Sequence, residues 1–156
     1  MFRVDENFRN ELRAMIELDR ILDGKPAMNK LEEVYAYAET GDSNGSPSVN
    51  KQVAMVLANY DSQVKNGGHQ QWLDNGYGKR DAALLLAIRS TDPILILLNN
   101  NVTAAINEQE TLDSVTEEFD DEYEEALTRL DKLDDAWYAL QDDAIGAAFA
   151  QVLGIS

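Results

Sequence analysis

Apolar residues return every three or four positions along nearly the whole chain, and no other feature of the sequence constrains the fold as strongly. This spacing lines one face of an α-helix with apolar side chains. The first such stripe falls in 8–22 and the second in 28–38. A third follows Ser48, a residue type that caps helix N-termini well. The chain is therefore predicted to be helical almost throughout.

The run ILILL at 94–98 is the one segment with the composition of a buried strand. It follows Asp92-Pro93, a strong N-cap and first-turn pair, and the sequence contains no evident partner strand. A lone strand has nothing to pair with, so we expect a buried helix that is apolar on all sides. The sequence predicts an all-α fold, a single-domain helical bundle of about seven or eight helices over 1–156 without a sheet.

The stretch GDSNGSPS at 41–48 is the clearest loop, because it is dense in turn-forming residues. It separates an N-terminal helical extension, 1–47, from a core at 48–156. Within the core, Ser114-Val115-Thr116-Glu117 has the pattern of a capping box and predicts the start of a long acidic helix over 115–140. The expected apolar stripe of that helix is Phe119, Tyr123, Leu127, Leu130, Leu133 and Trp137.

The chain carries 29 Asp and Glu against 13 Lys and Arg, a formal net charge of −16. Such a charge repels nucleic acid and anionic membranes and attracts basic partners, so we expect no direct binding to nucleic acid or membrane. The absence of cysteine excludes disulfides, thiolate metal sites and a Cys nucleophile, and it favours a reducing compartment. The N-terminus lacks the apolar run of a signal peptide, and a cytoplasmic location is expected.

Most of the net charge lies in one part of the chain. Residues 108–143 hold fifteen acids and two bases, a net of −13 (2 − 15), and seven of the nine residues in EEFDDEYEE at 117–125 are acids. Like charges at i,i+4 destabilise a helix, here by on the order of 1–2.5 kcal/mol in total. The dipole of a helix starting at 115 would offset this for Glu117 and Glu118, whereas Glu122 and Glu124 would lie beyond its reach.

Two interpretations of the acidic helix stay open. Nine helical residues rise about 13.5 Å, so seven charges average one per ~1.9 Å, close to the ~1.7 Å of duplex DNA. Such a helix suits a site built to grip phosphates; the alternative is a well-solvated face that keeps the protein soluble. In the first interpretation, the partner-binding, DNA-mimicking surface comprises Glu117, Glu118, Asp120, Asp121, Glu122, Glu124, Glu125, Asp131, Asp134 and Asp135.

Signatures of catalysis and of metal binding are weak. His69 is the only histidine, and a side chain in a turn is the more common use of such a residue than catalysis. One His without Cys does not make a zinc site, and the EF-hand pattern is missing. The sequence has no phosphate loop, dinucleotide fingerprint or nucleophile elbow. We therefore expect no enzyme, no catalytic residues, no metal and no cofactor.

The stretch NYDSQVKNGGHQQWLDNGYG at 59–78 is the most specific in the chain. It resembles the signature of a bacterial family, the DNA mimic proteins typified by DNA mimic protein nineteen, and the resemblance extends over about 50–150. The matching residues are Asn66, Gly67, Gly68, Gln70, Trp72, Asn75 and Gly78. The chain departs from the pattern at His69, where Phe is usual, and at Leu73. Physically the motif predicts a turn between two helices, with Gln70 bonded to the turn backbone and Trp72 in the core.

The resemblance implies an all-helical fold, commonly a dimer, whose acidic surface imitates duplex DNA. It implies that the chain inhibits a basic DNA-binding protein, such as a repressor, a restriction enzyme or a CRISPR effector, by occupying its DNA site. An anti-defence role in a phage or mobile element is consistent with this. One alternative is an immunity-type or scaffold module that recognises a basic partner by shape. Another is an enzyme with an acidic pocket near His69 or the NGYG turn at 75–78.

Overall fold

The computed structural model describes residues 30–39, 48–115 and 120–153. These residues form helices and no strand, which confirms the all-α prediction. The helices are α1 (Leu31–Glu39), α2 (Val49–Asp74), α3 (Tyr77–Ala87), α4 (Pro93–Ser114), α5 (Asp121–Tyr138) and α6 (Asp142–Val152). The predicted seven or eight helices exceed these six in the described ranges, and the predicted stripe at 8–22 lies outside them.

Helix α2 begins where the sequence predicts and bends at its glycines. Ser48 is the N-cap, and its hydroxyl accepts a hydrogen bond from the backbone N–H of Lys51. Gly67 and Gly68 interrupt the helical conformation, and Gly68 has a φ of 78°, which favours glycine. The predicted turn at Asn66-Gly67-Gly68 is therefore a kink, and a second helical segment follows it.

The ambiguous ILILL run is helical, as predicted. Asp92 caps α4 by accepting a hydrogen bond from the backbone N–H of Ile94, and Pro93 occupies the first turn. Leu95 and Leu98 are buried, but Ile96 is 46% exposed. The expectation of a helix buried on all sides is therefore wrong, because α4 lies at the surface of the bundle and only one of its faces meets the core.

The acidic helix starts later than the capping-box pattern predicts. Ser114 is the last residue of α4, and its hydroxyl donates to the carbonyl of Thr111 in that helix. Val115 is extended, as two successive β-branched residues favour. Asp120 is the N-cap of α5 and accepts a hydrogen bond from the backbone N–H of Glu122. The predicted helix over 115–140 is thus corrected to Asp121–Tyr138, and 116–119 lie outside the described residues.

Helix α2 is central: it packs against α1, α3 and α5, while α4 packs against α3, α5 and α6. Aromatic rings fill the middle of the core. Tyr60 meets Trp72 and Trp137 edge to face at centroid distances of 5.5 and 5.0 Å. Trp137 also stacks on Phe149 of α6 at 6.4 Å. Through Trp137, this cluster ties the acidic helix α5 to the rest of the domain. No helix among the described residues is long and apolar enough to cross a membrane.

Candidate partner-binding surface

Exposed acids cover the solvent side of α5. They are Asp121, Glu122, Glu124, Glu125, Asp131 and Asp135. From Asp121 to Asp135 the helix rises about 21 Å, so these charges average one per ~4 Å, near the ~3.4 Å per phosphate along one DNA strand. The predicted ~1.9 Å assumed one continuous helix through 117–125, whereas Asp120 is extended and α5 begins at Asp121. Glu117 and Glu118 lie outside the described residues.

The first turn of α5 concentrates negative charge where a helix tolerates it best. Asp121, Glu122 and Glu124 all lie there, after the exposed cap Asp120. Acids in this position interact favourably with the helix dipole, by roughly 0.3–1 kcal/mol each. The expectation that Glu122 and Glu124 lie beyond the dipole is therefore wrong, and the crowded acids cost the fold less than the sequence suggests.

At about 100° per residue, the exposed residues of α5 other than Glu122 fall into two stripes, each about 80° wide. We call the first the acid stripe: Glu124, Thr128, Asp131, Asp135 and Tyr138. We call the second the mixed stripe: Asp121, Glu125, Arg129 and Lys132. All of these residues except Tyr138 and Thr128 are charged, and all are exposed. The two stripes are therefore equally exposed, but only the mixed stripe contains bases beside its acids.

The mixed stripe faces α4 and is partly neutralised. Arg129 donates from Nε and Nη2 to the two carboxylate oxygens of Glu108 in α4, at 2.6 and 2.9 Å. Arg129 also lies 3.9 Å from Glu125, one turn earlier. Both bases of α5 belong to this stripe, so a basic partner meets repulsion there as well as attraction.

The acid stripe carries only negative charge. Within the ranges that the structure describes, none of the ion pairs involves Glu124, Asp131 or Asp135. Tyr138 ends the stripe, and its hydroxyl donates to the carbonyl of Val64 in α2 at 2.6 Å. Burial, together with the carboxylates of Asp134, Asp135 and Asp131, raises the pKa of Tyr138. The stripe thus presents carboxylates that no base of the described chain neutralises.

Asp134 is not part of this exposed surface, contrary to the prediction. It is buried, and its Oδ1 accepts a hydrogen bond of 2.7 Å from the backbone N–H of His69. The same oxygen lies 2.6 Å from Nδ1 of the His69 ring. The reason is that 134 falls on the buried side of α5, four residues after the buried Leu130 and three before Trp137.

His69 lies at the centre of a buried polar network, not in an exposed turn. Its Nε2 is 2.6 Å from the hydroxyl oxygen of Tyr60, to which Asn101 Nδ2 donates at 3.4 Å. We call Asp134, His69, Tyr60 and Asn101 the His69 network. Burial lowers the pKa of His69, while the bond to Asp134 and its negative charge oppose that shift. Burial likewise raises the pKa of Tyr60.

Asp61 forms a second polar connection between α5 and α2. Its carboxylate is buried and accepts from Trp137 Nε1 at 2.9 Å, from Tyr35 Oη at 2.5 Å and from Lys65 Nζ at 3.0 Å. Lys65 also reaches Asp142 at 2.8 Å. An open cleft of about 470 Å³ lies beside these groups. It is lined by Leu31, Glu32, Tyr35, Ala36, Glu39, Asp61, Lys65 and Asp142.

Several residues of the 59–78 motif make contacts within the fold. Trp72 is fully buried, and a Cβ at Gly78 would lie 2.8 Å from the Leu73 side chain. Asn66 donates to Gln71 Oε1, and Asn75 donates to Gln63 Oε1. The amide at the kink is therefore that of Gln71, whereas Gln70 was expected there. These contacts hold the two segments of α2 at a fixed angle.

Sequence reasoning missed that His69, Asp61 and Asp134 are buried together. One signal was available for Asp134. Ala126, Leu130, Asp134 and Trp137 follow the helical spacing of a buried stripe. An acid inside such a stripe indicates a polar partner in the core, because a buried carboxylate needs one. The sequence contains no comparable local signal for Asp61.

An all-helical domain with an uncompensated acid stripe belongs, by fold and surface, to the class of small acidic helical proteins. The family can be stated more narrowly than this class. Residues 47–153 match the model of the DMP19-like proteins, and the chain belongs to that family. This match confirms the resemblance drawn from 59–78 and covers the whole of α2 to α6. Comparison with curated proteins and with solved structures finds no match.

Proposed function

We propose that the protein inhibits a DNA-binding protein by placing the acid stripe of α5 where that protein holds DNA phosphates. The observation that carries this proposal is the separation of charge on α5. Glu124, Asp131 and Asp135 project together without a neutralising base, whereas the bases of the helix lie on the mixed stripe. The net charge of −16 and the DMP19-like family support the same function.

The mechanism is competitive. Lys and Arg side chains of the partner would contact the acid stripe in place of phosphates, with Tyr138 providing an aromatic surface beside them. Exposed charge pairs are screened over ~8 Å at physiological ionic strength, so binding should weaken steeply with salt. The remaining charge of the chain would attract a basic protein from a distance and raise the association rate. Such an inhibitor acts in the cytoplasm, where its partner meets DNA.

The test compares two triple variants that each remove three negative charges. Glu124→Gln with Asp131→Asn and Asp135→Asn neutralises the acid stripe. The matched control neutralises three exposed acids outside α5 and outside the open cleft: Asp74→Asn, Glu110→Gln and Asp143→Asn. Partners captured from a lysate of the native host by the wild-type chain should also bind the control variant. They should no longer bind the acid-stripe variant. Equal capture by both variants would overturn the proposal, since the acid stripe would then contribute no more than any other three acids.

Competition with DNA separates mimicry from other modes of binding. Excess duplex DNA should release the captured partner, and polyglutamate of equal total charge should release less of it. A partner that stays bound in excess duplex DNA would instead favour the immunity-type or scaffold module. The exposed Tyr138 and the open cleft beside α1 are what that alternative would use for recognition by shape.

An enzyme built on His69 receives no support from the geometry. The ring of His69 has no exposed surface, and both of its nitrogens lie within hydrogen-bond distance of buried groups. A substrate would have to enter the core to reach it. The homodimer, the identity of the partner and an anti-defence role stay predictions; sedimentation of the purified chain tests the first of them.

A further inference from the structure

Three polar contacts join α5 to α2, and all of them come from the C-terminal half of α5. Asp134 meets His69, Trp137 Nε1 donates to Asp61, and the hydroxyl of Tyr138 donates to the carbonyl of Val64. Only the first of these buries an acid of α5. That acid lies between Asp131 and Asp135, the two acids of the acid stripe in the same part of the helix.

We infer that His69 is a positioning residue, which holds Asp134 in the core and thereby fixes the rotation of α5 that presents the acid stripe to solvent. A carboxylate buried without a partner is strongly unfavourable. Without His69, α5 would gain by turning Asp134 toward water, and that turn would move Asp131 and Asp135 with it. What the stripe binds rests on the proposed function, whereas the positioning itself does not.

The backbone at the kink is built to meet this carboxylate. Gly68 has a φ of 78°, and its next residue directs both its backbone N–H and its ring Nδ1 at the same oxygen, Asp134 Oδ1. A Cβ at Gly68 would lie 2.3 Å from Asp134 Oδ2, so a side chain at this position would displace the carboxylate. Two donors converging on one oxygen give Asp134 the partners that a buried acid requires.

The hydrogen bonds of the network fix the proton positions on His69. Asn101 donates to the hydroxyl oxygen of Tyr60, so the Tyr60 hydrogen is free to point to His69 Nε2. The ring then carries its proton on Nδ1 and donates it to Asp134. A doubly protonated ring would aim Nε2–H at Tyr60, whose own hydrogen would lose its acceptor. This arrangement of donors and acceptors favours a neutral ring protonated at Nδ1.

Nuclear magnetic resonance of the ¹⁵N-labelled full chain tests this arrangement directly, because His69 is the only histidine. The titratable groups that face the ring are Asp134 from α5 and Tyr60 from α2; Asp61, next to Tyr60, is bonded to Trp137, Tyr35 and Lys65. Two-bond ¹H–¹⁵N correlations should show the Nδ1–H tautomer and no titration near pH 6.5 while the chain stays folded. An Nε2–H tautomer, or a ring that titrates near 6.5 in the folded chain, would overturn the inference.

Two single variants separate a donor role from a packing role. His69→Asn keeps an amide N–H near the place of Nδ1 but loses the ring, whereas His69→Phe keeps a ring but loses the donor. Hydrogen exchange of the α5 amides, measured relative to those of α3, reports how firmly α5 is held. We expect His69→Phe to raise this ratio roughly 10- to 100-fold, and His69→Asn to raise it several times less.

The ranking of the two variants decides the inference. Asn holding α5 better than Phe supports positioning by the hydrogen bond, including the case in which only the Phe variant fails to fold. Phe holding α5 as well as Asn, or better, overturns it, because the residue would then act by filling space. Neither experiment includes a partner protein, so its outcome is independent of whether the acid stripe binds a DNA-binding protein.

Discussion

The two sides of α5 treat the same kind of side chain in opposite ways. On the outer side, Asp131 and Asp135 are exposed and have no base within the described residues to neutralise them. On the inner side, Asp134 is buried and receives two hydrogen bonds from one residue, His69. Outside, the charge costs little because water solvates it, and it remains available to a partner. Inside, the charge is tolerated only with designated donors, and it then determines how the helix lies.

The largest loss on the inner side of α5 should come from removing Asp61, the buried carboxylate of α2 that Trp137 contacts. Asp61→Ala leaves the donors of Trp137, Tyr35 and Lys65 without their shared acceptor. We expect a loss of about 3–5 kcal/mol in the free energy of unfolding, measured by urea denaturation. Asp131→Ala is the matched outer variant and should change stability by less than about 0.5 kcal/mol. Similar losses in the two variants would contradict the distinction between the two sides.

Alanine substitutions at two glycines test how firmly the kink holds Asp134. Gly68 and Gly76 both have a positive φ, 78° and 83°, so alanine is strained at each, and more strongly at Gly68, whose ψ of −178° lies in a region that only glycine adopts readily. A Cβ at Gly68 would also meet Asp134, whereas a Cβ at Gly76 meets nothing within 4 Å. We expect Gly76→Ala to cost about 1–2 kcal/mol and Gly68→Ala about 1–3 kcal/mol more, from thermal or urea unfolding. Equal costs would show that Asp134 yields easily to a new side chain.

Acid should weaken the packing of the inner side of α5 through His69. The pKa of His69 is lowered in the folded chain by burial, so the unfolded chain binds the proton more readily. The contribution of His69 to the free energy of unfolding is therefore constant above about 6.5, its pKa in the unfolded chain. That contribution is lost as the pH falls below this value. Between pH 7.5 and 5.5 we expect a loss of about 1 kcal/mol in the wild-type free energy of unfolding.

The matched control for this loss is His69→Asn, which removes the only titrating imidazole of the chain. Over the same pH interval its free energy of unfolding should fall by less than that of the wild-type chain, and the difference isolates His69 from the carboxylates. Parallel curves for the two proteins would mean that the folded and unfolded chains bind the proton at His69 equally well.

The sequence predicted the features that neighbouring residues determine, and it missed the features that residues distant in the chain determine. Ser48, Asp92-Pro93 and the glycines at 67–68 act within a few residues: Ser48 and Asp92 cap helices as predicted, and the glycines interrupt α2 where a turn was predicted. Ser114 matched a capping pattern, but its hydroxyl bonds to Thr111 in the preceding helix. The burial of Asp134 depends on His69, 65 positions away. No spacing rule along α5 reports that contact, although the apolar stripe around Asp134 indicated that a partner was needed.

The smallest expected effect lies on the outer side, where one acid is exchanged for its amide. Asp131 and Asp135 are one turn apart on the acid stripe, and like charges at this separation repel each other. Asp135→Asn should therefore raise the free energy of unfolding by roughly 0.2–0.5 kcal/mol at low salt, an advantage that disappears as salt screens the repulsion. If the same variant also weakens capture of the partner, the chain retains this acid against its own stability, as a binding surface would require. A stabilised variant that still captures the partner fully would instead assign Asp135 to the solvated face.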